Sequence, residues 1–461
     1  MEPKQKSQVM EKGLWNMAKP MMLEHALLFF LPLADTFFLS RISDEAAAAV
    51  GSVTAFLFLS NTILWVTAFA GSSVASQRIG ANDYDKANAT IFVYGSWLLL
   101  GSVFAISLVY FGGPVVTTLM GLPTEIKVPA DTYLAIGSVM VGIWGIRGFL
   151  QSIVTLYGMP QWNFFANFVG FIVNVFGNAA VVNGWFGIPQ WGIVGIAWAS
   201  VLASAVVTII LAFVVFVRIR LRFNMQTVKQ GYFRYSRQIG RIVAPSLIDP
   251  LSFDVNMVVL SAIVAKLGTL ALIARTYTFN TFLTLLIVTV AFGTANEVIV
   301  AQWVGAKNYL KANQQLHRAV KIVVLATFGV GLIYFLLAPQ IMGFYTDEEY
   351  ILSMAFVYFF LALMSEPGRS LNIVVGNALR ATGDGWYISI VGLGITWFIA
   401  IPLAYIFAIT VEMGLIGILL SAIIDESSRG ILNYWRWRKN RWQKTNVIAH
   451  EESQQGLEST N

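Results

Sequence analysis

The residues best able to do chemistry here are acids and amides set in apolar sequence. Asp35 follows Leu31-Pro-Leu-Ala34, and Thr36-Phe-Phe-Leu-Ser40 still separates it from Arg41. A charge inside a membrane costs several kcal/mol by order of magnitude, so each one needs a cavity or a task. Asp35 reads either as a helix-end residue paired with Arg41 or as an inward carboxylate that binds and releases a cation, first of all a proton. Glu24, nearer the start of the same run, reads equally as a gate residue or an interfacial charge. Asn163, Asn167, Asn174 and Asn178 are spaced four, seven and four apart, which puts four amides on one helical face. Such a face avoids lipid and hydrogen-bonds to a neighbouring helix. The second half of the chain adds Asp249, Pro250 and Asp254, then Glu366 and Arg369, which at a spacing of three form an internal ion pair as the default reading. Asp425, Glu426 and Arg429 read as a surface network near the cytoplasmic end of the last helix.

Proline gives the first run a moving part. Pro20 and Pro32 each remove an amide donor, and a proline inside a helix weakens the ladder and kinks it. In lipid such breaks persist only where neighbours or water satisfy the freed carbonyls. The run carrying Asp35 is therefore a candidate bending element, with a static kink as the alternative.

The elements that position these residues are membrane spans. Of 461 residues 57% are hydrophobic and only 12% charged, with mean hydropathy +0.69, against about 25% charged in a soluble domain. Apolar runs near the roughly 20 residues that cross a bilayer recur along the length. They give twelve spans, from 14–40 to 412–436, and an all-α polytopic membrane protein with no separate globular domain. The first apolar run is full length and lacks a small-residue cleavage site, so it reads as a retained helix rather than a signal peptide. Twelve spans put both termini on one side. That side collects most of the basic residues, including Arg218, Arg220, Arg222, Lys229, Arg234, Arg237 and Arg241 of the central stretch, while the other takes Arg41, Lys127, Lys266 and Arg275. The positive-inside rule makes the termini cytoplasmic, and the location expected is a bacterial inner membrane. The formal charge of +6 thus reflects topology and lipid headgroups, not a nucleic-acid partner. With no cysteine and three scattered histidines, His25, His317 and His450, the sequence offers no metal cluster or disulfide. It also lacks HExxH and a GxSG-like turn, and no enzyme or cofactor is expected.

The chain repeats itself. Residues 74–88, VASQRIGANDYDKAN, align with 299–313, IVAQWVGAKNYLKAN, at an offset of 225. The same offset pairs Pro20 with Pro245, Glu24 with Asp249, Arg41 with Lys266 and Gly158 with Gly383. It shortens to 222 where Gly192-Ile-Val-Gly-Ile meets Gly414-Leu-Ile-Gly-Ile. Six spans per half make the repeats parallel, related by an axis along the membrane normal, a plan common among transporters. The organisation expected is a cytoplasmic segment 1–13, an N-lobe 14–217, a basic linker 218–235, a C-lobe 236–440 and a polar, disordered tail 441–461.

With Pro20 through Asp35-Thr-Phe-Phe-Leu-Ser-Arg41, the repeated Gln-x-x-Gly-Ala segments and Leu379-Arg-Ala-Thr-Gly-Asp384, the chain resembles over about residues 10–440 the multidrug and toxic compound extrusion (MATE) family. Its DinF-like bacterial branch is the nearest in pattern, within the larger exporter superfamily that also contains oligosaccharidyl-lipid flippases. The resemblance implies a V-shaped pair of six-helix bundles, acting as a monomer among membrane lipids, that exports cationic or amphipathic organic compounds against H⁺ or Na⁺. It implies that Asp35 is the cation-coupling residue and that Asn174 and Asn178 hydrogen-bond it, with Ser200 as a further candidate. In DinF-like members, bending of the first helix on protonation of its Asp has been proposed. Many relatives have Asp where this chain has Asn178. NorM-type relatives place a Glu in the seventh helix and an Asp in the tenth for Na⁺, and Arg369 falls near that tenth-helix position. Both departures favour H⁺ as the coupling ion, with Na⁺ or a lipid-linked oligosaccharide flippase as alternatives. The many Phe, Trp, Tyr and Met suit an adaptable cavity for hydrophobic cations, although most serve lipid contact and packing.

Overall fold

The computed structural model describes residues 8–187 and 189–445 and is helical throughout, with no strand among the described residues. Among the described residues twelve long helices carry the fold: α1 Val9–Ser40, α2 Asp44–Gly80, α3 Tyr84–Leu119, α4 Thr124–Leu156, α5 Pro160–Asn183, α6 Ile193–Arg218, α7 Met225–Ala265, α8 Thr269–Gly305, α9 Tyr309–Leu336, α10 Glu349–Ala381, α11 Gly385–Thr410 and α12 Leu415–Arg438. Among the described residues, eleven are long and apolar enough to cross a membrane. The exception is α12, whose length suffices but which holds Asp425, Glu426 and Arg429 within its span. Residues 1–7 and the end of the expected tail, 446–461, lie outside the described residues.

The chain divides into two compact units. One runs through the described residues to Ile79 and resumes at Asp83–Ile239; the other takes Gly80–Asn82 and everything from Gly240 onward. In the first, α4 packs on α3 and α6, and α5 on α6 and α1. In the second, α10 packs on α9 and α12, and α12 on α11. The repeat seen in sequence therefore recurs in how each lobe is put together.

The repeated residues occupy the same backbone roles. Gly158 and Gly383, φ 78° and 89°, follow the fourth helix of each lobe, a left-handed conformation that glycine adopts without a Cβ penalty. Each belongs to a Schellman closure: Met159 N to Val154 O at 2.9 Å in one lobe, Asp384 N to Leu379 O at 3.0 Å in the other. Asp83 and Asn308 cap the third helices, each accepting from a lysine amide, Lys86 N and Lys311 N, at 3.1 Å.

Lipid is the solvent on the outer faces. Along α3, Leu100, Phe104, Phe111 and Val115 form an exposed apolar stripe, while Leu98, Ser102, Ala105, Val109 and Gly113 face inward. The small or polar character of the inner stripe is what membrane helix packing favours. Backbone meets backbone in the C-lobe, where a Cβ on Gly430 of α12 would lie 2.7 Å from Gly368 O of α10, and one on Gly368 would lie 2.7 Å from Ser427 N. Backbone cannot yield as a side chain can. Gly430→Ala is expected to push α10 and α12 apart and cost about 1–3 kcal/mol, read as a lower melting temperature of the purified protein in detergent; an unchanged melting curve would contradict this contact.

The central basic stretch, an amphipathic linker by its sequence, is helical from Met225 onward. Residues from Met225 are continuous with α7, a helix of 41 residues. Its first turns dock on the N-lobe: Ser96 Oγ meets Tyr232 OH at 3.0 Å, Trp97 Nε1 donates to Ser236 Oγ at 3.0 Å, and the buried Arg78 donates to Gln238 Oε1 at 2.6 Å. The tail differs from the disordered one expected, because Trp442–Thr445 forms a helical turn with Trp442 fully buried and stacked on Trp437 at 4.2 Å. An aromatic stack does not announce itself in a short polar, basic segment.

Candidate functional site

The N-lobe site is assembled on the seam of α1, α4, α5 and α6. Close contact of α5 with α6 comes from small residues: a Cβ on Gly177 would lie 3.0 Å from Ala199 Cβ, and one on Gly170 would lie 2.3 Å from a Val207 methyl. This brings Ser200 of α6 against the asparagine face of α5. Asn178 Nδ2 donates to Asp35 Oδ1 at 2.6 Å, and Ser200 Oγ lies 3.5 Å from Asp35 Oδ2. Asn174 Nδ2 donates to Ser200 Oγ at 3.0 Å, and Asn178 Nδ2 also reaches Asn174 Oδ1 at 3.3 Å. Asp35, Asn174, Asn178 and Ser200 are thus one connected group, with both asparagines fully buried. The pair with Arg41 is not formed among the described residues; that guanidinium lies over the Phe37 ring at 5.2 Å.

Of the other two asparagines, Asn167 bonds Glu24 and Asn163 packs behind it. Gln151 Nε2 and Asn167 Nδ2 both donate to Glu24 Oε1, at 2.7 and 2.9 Å. Arg147 donates to Asn167 Oδ1 at 2.6 Å, and Asn163 Nδ2 bonds Thr155 Oγ1 at 2.9 Å. With 6% of its surface exposed, Glu24 is an interior group rather than an interfacial one. The sequence places its asparagine partner, Asn167, on the polar face of α5, but not Gln151 or the role of Arg147, because a single polar residue in an apolar run carries no periodic signal. Pro20 and Pro32 lie inside α1, and Thr36 Oγ1 donates to Pro32 O at 2.9 Å. The helix departs from helical geometry at Gly13, φ 72°.

The C-lobe candidates fall into separate places. Asp249 pairs directly with Arg380, which also donates to Asn377 Oδ1 at 2.8 Å. Asp254 is exposed and carries no hydrogen bond among the described residues. Glu366 and Arg369 do pair, Nη1 to Oε1 at 2.6 Å, and Arg369 Nε also reaches Glu426 Oε1 at 3.3 Å. Arg429 extends the network to Asp425 at 2.5 Å and to Glu426 at 3.5 Å, while Thr396 Oγ1 donates to Asp425 at 3.0 Å and Asn372 Nδ2 to Glu426 at 3.0 Å. Asp425, Glu426 and Arg429 are therefore an interior network in the middle of α12 and not a surface one. The Gly368 and Gly430 contact is what draws α12 close enough to α10 to bury them. Thr396 opens a wide π turn in α11, Thr396–Ala400, of the sort that often accompanies functional positions.

A family model described as MatE matches residues 20–180 and 245–406, running from the first helix into the fifth in each lobe. This chain is a member of the MATE family. MATE proteins are transporters and not enzymes. The uncharacterized transporter YisQ of Bacillus subtilis is 27% identical over 435 residues, 93% of this chain and 94% of the relative. The probable multidrug resistance protein NorM of Thermotoga maritima is 23% identical over 458 residues, 97% of each chain. A crystal structure of MATE in the bent conformation superposes with a TM-score of 0.86 at 20% identity, covering 95% of this chain and 98% of that one. The MATE assignment gives the two six-helix lobes, the multi-pass membrane location and a small-molecule substrate.

Proposed function

We propose that this MATE protein is a secondary active antiporter that exports cationic or amphipathic organic compounds in exchange for H⁺, with Asp35 as the group that takes up the proton. The carrying observation is that Asp35 is held on an apolar helix by amide and hydroxyl groups, Asn178 at 2.6 Å and Ser200 at 3.5 Å, with no basic residue against it among the described residues. A carboxylate so placed has no permanent counter-charge, so its charge can be cancelled and restored by a proton. Asn178 Oδ1 is buried without a partner, and an amide flip would aim it at the hydroxyl of a protonated Asp35. Binding of H⁺ in one conformation and of substrate in the other then alternates access, and the ladder gaps at Pro20 and Pro32 make α1 the bending element. The resistance phenotype in the names of the NorM relatives supports a multidrug substrate range. The charge pattern supports an inner-membrane protein with both termini cytoplasmic.

The same unpartnered Asn178 Oδ1, together with Asp35 and Asn174 Oδ1, also favours a second reading in which Na⁺ is the coupling ion. A lipid-linked diphosphate flippase fits less well, because Arg147, Arg369 and Arg429 are each matched to an amide or a carboxylate. The test is ethidium accumulation in inside-out vesicles or proteoliposomes under imposed gradients. A pH gradient is expected to drive accumulation that nigericin collapses, and a Na⁺ gradient at uniform pH is expected to drive none. Accumulation that followed only the Na⁺ gradient would overturn the proton assignment and leave the transporter assignment standing.

A further inference from the structure

The two carboxylate groups of the N-lobe are copies of one another along the seam. Glu24 and Asp35 are eleven residues apart on α1, and on α5 Asn163 and Asn174, and Asn167 and Asn178, are eleven apart as well. Eleven residues make about three turns, so a shift of roughly 16 Å along both helices carries one set onto the other. That is about half the hydrocarbon thickness of a bilayer.

We propose that Glu24, held by Gln151 and Asn167 and watched by Arg147 from one amide away, is a second proton-binding site of the N-lobe. The proposal does not need Asp35 to be the coupling residue. Its case lies in how the countercharge is placed. In the C-lobe the repeat partner of Glu24 is Asp249, and Arg380 grips it directly. At Glu24 the guanidinium stops at Asn167 Oδ1, 2.6 Å away, and only the Nδ2 of that amide reaches the carboxylate, at 2.9 Å. Glu24 is buried but not clamped. The groups around it are donors: Arg147 fixes the Asn167 amide so that its NH₂ faces Glu24, and Gln151 presents Nε2. A metal ion seeks oxygen ligands and would find the wrong end of Asn167 here; a proton needs none. Among the described residues, Arg147 is the one charged group facing Glu24. The helices α5 and α6 carry no titratable side chain within Pro160–Asn183 and Ile193–Phe213, α4 offers Arg147, and His25 beside Glu24 is engaged with Met21 O at 2.7 Å.

Infrared difference spectra of the full chain in lipid vesicles, between acidic and alkaline buffer, read protonated carboxyl groups directly. The Asp35→Asn protein is expected to keep a carboxylic-acid band that titrates, Glu24→Gln in that background to delete it, and Glu24→Asp to shift it. If Glu24→Gln leaves the bands of a monodisperse protein unchanged, or Glu24→Asp moves none of them, Glu24 does not exchange protons and the proposal fails. A wrong assignment of Asp35 shows separately, as an Asp35→Asn spectrum identical to the parent.

Discussion

The Asp35→Asn protein is expected to fold, to bind dye and to lose all gradient-driven export. Asparagine has nearly the shape of aspartate, and its Oδ1 can still accept from Asn178 Nδ2, which now holds Asp35 at 2.6 Å. What the change removes is the charge that a proton cancels. In exchange for a monovalent dye the membrane-potential terms of proton and dye cancel, and a pH gradient of about one unit is worth about 1.4 kcal/mol, so one coupled proton supports accumulation of roughly tenfold per pH unit. Without a group to carry it, the ratio should fall to one. Steady-state ethidium in energised inside-out vesicles measures this, and drug susceptibility of a pump-deficient host expressing the variant gives the cellular counterpart. Dye binding followed by fluorescence anisotropy on the purified variant separates lost coupling from lost fold. Export at the parental level would end the assignment of coupling to Asp35.

How far the sequence carried depends on whether a feature repeats. The lobes were legible because backbone requirements recur: Gly158 and Gly383 need left-handed φ at equivalent helix ends, and Asp83 and Asn308 cap equivalent helices. The asparagine face of α5 was legible because a helix puts spacings of four and seven on one side, and its amides do meet Asp35 and Glu24. Pairwise matches across helices were not. Nothing in the sequence near Gln151 says that it faces Glu24, since that depends on the angle at which α4 crosses α1. The C-lobe network was misread for a related reason. Asp425, Glu426 and Arg429 look like a wet helix end, and only the near-touching backbones at Gly368 and Gly430 turn them inward.

That inward network sets the second large effect. Two guanidiniums, Arg369 and Arg429, serve three carboxylates, and Glu366 has no exposed surface while its Oε2 is buried without a partner. Arg369→Met keeps a side chain of useful length but leaves Glu366 with no cation beside it and takes one of two from Glu426. Breaking a buried pair on one side costs about 3–5 kcal/mol, because the remaining charge stays desolvated. In a unit of this size that corresponds to a fall in apparent melting temperature on the order of ten degrees. The cost lies in the orphaned charge and not in the lost contact, so removing its partner should repair it. Glu366→Gln combined with Arg369→Met is therefore expected to recover much of the lost stability, as replacement of whole buried pairs often does. Thermal unfolding of the parent, both single variants and the double variant in one detergent closes the cycle. Additive losses would mean that Glu366 and Arg369 do not act as a pair, and recovery would mark the C-lobe network as a structural one, set against the N-lobe carboxylates proposed to exchange protons.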